Sequence, residues 1–88
     1  MKFYYINVND KYWDEVMKEL KSIPIYYCYR CYNKSTCVGF YIDSKPSELY
    51  YNHTLYNYVA LNSHYNNIKC KNVEELLFVY ESSKMGLL

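Results

Sequence analysis

The sequence predicts a small α+β domain. Three observations carry this. Hydrophobic residues make up 51% of the 88 residues, which excludes a disordered chain. Two stretches, Lys2 to Val8 and Pro24 to Ser44, alternate in the two-residue period of strands. Two others, near Lys11–Ile23 and Val73–Ser83, carry helical capping or periodicity. A chain of this length is one domain, residues 1–88, with a compact core.

In Lys2 to Val8, alternation puts Tyr4, Ile6 and Val8 on one face and Phe3, Tyr5 and Asn7 on the other. A helix follows, capped by Asn9 or Asp10, whose side chains accept hydrogen bonds from free first-turn amides. Tyr12, Trp13, Val16, Met17, Leu20 and Ile23 form its apolar stripe, while Lys11, Asp14, Glu15, Lys18, Glu19 and Lys21 face outward. Pro24 ends it.

The stretch Pro24 to Ser44 reads as a hairpin turning at Asn33-Lys34-Ser35-Thr36. With the turn centred between Lys34 and Ser35, one face carries Ile25, Tyr27, Tyr29, Cys31, Val38, Phe40 and Ile42. The other carries Tyr26, Cys28, Arg30, Tyr32, Cys37, Gly39 and Tyr41. An odd-length loop would set Arg30 beside Val38 and Phe40, a costly place for an unpaired charge, so the even register is preferred.

Residues 47–62 read as a helix on length, although Leu55-Tyr56-Asn57-Tyr58-Val59 also alternates as a strand would. His64 to Asn67 is a polar turn, and Ile68-Lys69-Cys70 a short edge strand. Asn72 with Glu75 has the spacing of a capping box. The helix it starts, Val73 to about Ser83, is apolar nearly all round and is expected to be covered on more than one side.

The order β-α-β-β-α-β, followed by an extra helix, resembles the ferredoxin-like pattern over residues 2–71. That resemblance implies a four-stranded antiparallel sheet with two helices on one face. The helix side would hold Tyr4, Ile6, Val8, Ile25, Tyr27, Tyr29, Val38, Phe40, Ile42 and Ile68. The opposite side would hold Phe3, Tyr5, Tyr26, Arg30, Tyr32, Gly39 and Tyr41. The final helix either leaves that tyrosine-rich side open or folds across it as a second core.

Composition narrows the function. A net charge of +1 argues against an acidic DNA mimic and against strong non-specific nucleic-acid binding. No secretory leader or membrane-spanning run is read in the sequence, so a cytoplasmic location with reduced thiols is expected and no membrane partner.

Cys28-x2-Cys31-x5-Cys37, with Cys70, His53 or His64 as a fourth ligand, invites a zinc reading. On a strand, however, Cys28 and Cys31 point to opposite faces. Buried structural cysteines are therefore preferred, with no metal and no cofactor. His53 and His64 have no nucleophile at a recognisable spacing, and Glu74 and Glu75 belong to a helix first turn, so no catalytic residue is assigned.

The strand order also resembles that of RNA-recognition (RRM-like) domains. Phe3-Tyr4-Tyr5-Ile6-Asn7-Val8 is similar to their first short motif, and Thr36-Cys37-Val38-Gly39-Phe40-Tyr41-Ile42 to their second. Two features depart from it: Tyr4, which would stack a base, points to the core side, and Thr36 stands where a basic residue is expected.

The preferred expectation is a small non-enzymatic protein-binding module. Fourteen tyrosines and a single arginine beside nine lysines provide the interface chemistry, with Arg30, Tyr32, Tyr26, Tyr41 and Tyr5 as contact residues. In size, in its AT-rich coding bias and in lacking catalytic motifs, the chain is similar to small phage or mobile-element proteins, including anti-CRISPR-type inhibitors. That similarity implies occupation of a host protein's surface, and a homodimer is compatible with it.

Overall fold

The computed structural model describes residues 2–24, 35–42, 56–58 and 66–86. Strand β1 (Lys2–Asn9) leads through a 3-10 turn (Asp10–Tyr12) into helix α1 (Trp13–Glu19), which tightens into a second 3-10 turn (Leu20–Ser22). Strands β2 (Ser35–Ile42), β3 (Tyr56–Tyr58) and β4 (Asn66–Lys69) follow, then helix α2 (Val73–Lys84). The four strands form one sheet in the order β3-β2-β1-β4. The protein is thus α+β, with β1 and β2 in the middle of the sheet.

The β1–β2 pairing is antiparallel and sets Phe3 against Tyr41, Tyr5 against Gly39 and Asn7 against Cys37. Alternation then divides the pair into the two faces that the sequence pattern implies. On the helix side, Ile6, Val8, Val38, Phe40 and Ile42 pack with Trp13, Leu20 and Ile23 of the first helical segment. Leu76 and Tyr80 of α2 join the same cluster, as does Cys70. Tyr4 lies against it, its ring stacked 6.2 Å from Phe40, and Tyr80 meets Phe40 edge-on at 5.6 Å. Leu20, Phe40 and Leu76 are fully buried, each stabilising the fold by about 1.5–3 kcal/mol relative to exposure.

The first 3-10 turn and α2 begin where a side chain supplies a missing acceptor. Asn9 Oδ1 accepts from the Lys11 amide at 3.0 Å, and Asn72 Oδ1 accepts from the Glu75 amide at 2.9 Å. Glu75 Oε2 accepts in return from the Lys71 amide at 3.3 Å, completing a capping-box-like exchange one residue earlier than the usual form. On α1's stripe, Trp13 is buried and Val16 and Met17 pack against the core. Tyr12, at the edge of the stripe, is half exposed.

The structure corrects several sequence expectations. Ser35 and Thr36 are strand residues paired with Asn9 and Val8, not turn residues. Thr is β-branched, and its hydroxyl does not prevent it from fitting a pleated surface.

Tyr56–Tyr58 is a strand, antiparallel to Cys37–Gly39, where length favours a helix. It takes the edge of β2 that the expected hairpin partner before Asn33 would have occupied; with β1 on the other edge, Cys37 and Gly39 are not paired with Tyr32 and Arg30 as the hairpin reading requires. Asn66 and Asn67 extend the last strand beyond the expected turn.

That strand runs parallel to β1, pairing Tyr4 with Ile68 and Tyr5 with Lys69, whereas an all-antiparallel sheet requires the reverse. Side-chain alternation specifies faces but not direction, so nothing in residues 66–70 distinguished the two. Finally, α2 buries Leu76, Tyr80 and Ser82 and half-buries Val73, Leu77 and Val79, but leaves Phe78 72% exposed.

Candidate functional site

The face of the sheet opposite the helices is the contact surface that the sequence pattern suggests. Among the described residues it is a second buried cluster of Phe3, Tyr5, Cys37 and Tyr41. Phe3 lies 4.9 Å from Tyr41 with rings tilted by 40°, and 6.0 Å from Tyr5 with rings nearly parallel. Such aromatic pairs add about 0.5–1.5 kcal/mol beyond their burial. Tyr5 is 9% exposed and Tyr41 4% exposed. Both are therefore core residues of this face, and the exposed contact role expected for them does not fit their burial. Arg30, Tyr32 and Tyr26 lie outside the described residues.

α2 is not what distinguishes this face. Leu76 and Tyr80 direct the helix to the other cluster, so it does not fold across the tyrosine side as one expectation held. The alternation of β1 and β2 correctly separated the two faces, yet gave no means of knowing that both would be buried.

Gly39 sits within this surface opposite Tyr5. A Cβ built there would fall onto the Tyr4 carbonyl oxygen and 2.7 Å from Tyr5 Cα. Glycine thus permits a close backbone approach at the centre of the β1–β2 pair.

The two described cysteines occupy different clusters. Cys37 lies on the tyrosine side and donates its thiol hydrogen to Asn7 Oδ1 at 3.1 Å. Burial raises its pKa, and the Lys69 ammonium partly offsets this. Cys70 belongs to the helix-side core; burial, reinforced by the Glu75 carboxylate, raises its thiol to about 11. The sheet thus separates these two thiols, which does not suit the zinc set that combined Cys37 with Cys70. Among the described residues no group of three His, Cys, Asp or Glu side chains is arranged to hold a metal. Cys28, Cys31, His53 and His64 lie outside them.

Thr36 is a polar residue whose burial the sequence pattern did not indicate. It is 1% exposed, and its Oγ1 has no hydrogen-bond partner among the described residues. No helix among the described residues is long and apolar enough to cross a membrane.

No protein-family model matches the chain, and no curated protein or solved structure is detectably similar to it.

Proposed function

We propose that this chain is a small non-enzymatic protein-binding module whose contact residues include Arg30, Tyr32 and Tyr26. The observation that favours it is the fate of the sheet aromatics. Tyr4 stacks on Phe40 on the helix side, while Phe3, Tyr5 and Tyr41 are buried together on the other. An RRM-like sheet needs free aromatic faces for bases to stack on. Here the described rings are committed to packing, which weakens the single-stranded RNA reading. A net charge of +1 weakens it further.

The described thiols support a non-catalytic role, because both are shifted toward the protonated form and a nucleophilic cysteine needs the opposite shift. The central β1–β2 pair with helices on one face retains part of the ferredoxin-like arrangement, and on this reading it serves as a rigid platform for the binding segment. From the general character of the sequence, the partner is a host protein inside the cell, blocked by occupation of its surface in the manner of anti-CRISPR-type inhibitors from phages or mobile elements.

The test starts with a pull-down from the presumed host, followed by titration of the isolated partner. Arg30→Ala and Tyr32→Ala should each weaken binding by about 1–2 kcal/mol and leave the thermal midpoint nearly unchanged. Normal binding by the double variant places the contact surface elsewhere. Submicromolar, steeply salt-dependent binding of single-stranded RNA would instead favour the nucleic-acid reading.

A further inference from the structure

The outer line of α2 is a second surface. Glu74, Phe78, Glu81 and Met85 recur at i, i+4, i+7 and i+11, which places them along one line of the helix. All four are exposed, Phe78 at 72% and Met85 at 67%. Two large apolar side chains thus stand two turns apart on the side away from Leu76 and Tyr80, which bury the helix against the sheet. At 100° per residue, Lys84 falls on the same flank of this line as Glu81.

We propose that this line joins two copies of the chain through an antiparallel α2–α2 contact about a two-fold axis. The spacing and charges are self-complementary in that arrangement. When Phe78 of one copy packs against Met85 of the other, two-fold symmetry brings Met85 onto the other copy's Phe78. In an antiparallel helix pair, like flanks face each other, so the same register sets Glu81 of each copy beside Lys84 of its mate. Two apolar contacts and two opposite-charge contacts form together. A parallel pairing would set Phe78 on Phe78 and Glu81 on Glu81, with like charges facing. A helix of 12 residues is about 18 Å long, so the contact is smaller than a standard interface of about 800 Å² per partner. The dimer therefore forms only at high protein concentration, on the order of 100 μM or above.

Sedimentation of the full chain across about 10 μM to 1 mM tests the association, and charge reversal tests the register. Glu81→Lys sets two ammonium groups against each other at both symmetric contacts, because Lys84 of the mate already stands there. Lys84→Glu does the same with two carboxylates, the other being Glu81 of the mate. Each variant alone should weaken self-association by about tenfold. In an equimolar mixture of the two variants, each heterodimer sets an ammonium against a carboxylate at both symmetric contacts. Mixing should therefore restore association to about that of the unaltered protein, and a mixture no better than its components would overturn the register. The double variant Glu81→Lys with Lys84→Glu restores both opposite-charge contacts with their signs exchanged, and should associate as the unaltered protein does. Phe78→Ser should abolish dimerisation with an unchanged circular dichroism spectrum and melt, since the side chain is exposed. A chain monomeric at 1 mM, a dimer indifferent to Phe78→Ser, or a double variant no better than the single ones would each overturn the proposal.

Discussion

Replacing Gly39 by alanine sets two effects of opposite sign against each other. Propensity alone favours the change: glycine within a strand costs roughly 0.5–1 kcal/mol relative to alanine, so Gly39→Ala would stabilise the protein. The structure predicts the reverse. The new methyl would land on the Tyr4 carbonyl oxygen, 2.7 Å from Tyr5 Cα and 2.8 Å from Tyr4 carbonyl carbon. All three are backbone atoms of the neighbouring strand, so no rotamer change relieves the overlap. Ordinary contact begins at 3.4 Å, so β1 and β2 would have to separate locally by at least 3.4 − 2.7 = 0.7 Å.

That displacement weakens ladder hydrogen bonds on either side, each worth about 1 kcal/mol. It also loosens Phe40 and Tyr41, which anchor the two clusters from adjacent positions. A net loss of about 3–5 kcal/mol follows. A domain of this size holds only about 4–13 kcal/mol in total. Urea unfolding monitored by circular dichroism should show a midpoint far below that of the parent protein, or no transition at all. A loss under about 1 kcal/mol, or any gain, would refute the claim that Gly39 is required by a close backbone approach.

Two further substitutions or titrations check other parts of the core. Thr36→Val removes a buried hydroxyl that has no partner among the described residues while keeping the shape. It should raise stability by about 1 kcal/mol, seen as a melting midpoint about 4–8 °C higher; a loss of comparable size would mean the hydroxyl is satisfied in solution. The raised thiol of Cys70 couples stability to alkaline pH. Its ordinary value is 9.0 and its folded value about 11, so between them the folded state keeps a proton that the unfolded state has lost. This contribution is complete below pH 9 and disappears as pH rises from about 9 through 11. Cys70→Ala should flatten that part of the pH–stability curve, and an unchanged curve would remove the thiol as its source.

The parts of the fold legible in the sequence are those governed by a single local rule. Period-two alternation separated Tyr4, Ile6 and Val8 from Phe3 and Tyr5, and the β1–β2 register keeps that division. Asn72 and Glu75 announced the start of α2 because their side chains reach amides within one turn. What was not legible depends on distant partners. The parallel direction of β4 is decided by β1, and the strand at Tyr56–Tyr58 by the open edge of β2. Phe78 looked like core because composition does not say which side of α2 meets the sheet. Tyr5 and Tyr41 looked like an open face because alternation assigns a side and says nothing of its burial.

β1 lies between two strands that are both made after it. Lys2 pairs with Ile42 on one side and with Asn66 on the other. A ribosome adding about 5–20 residues per second takes roughly 3–13 s to cover the 66 − 2 = 64 residues from Lys2 to Asn66. Throughout that interval the strand destined for the centre of the sheet has one unpaired edge, and apolar residues on both sides. Between the synthesis of β2 and that of β4, the nascent chain holds its central strand with one edge unpaired. Synthesis stopped short of β4 would leave that edge permanently open, a target for molecular chaperones.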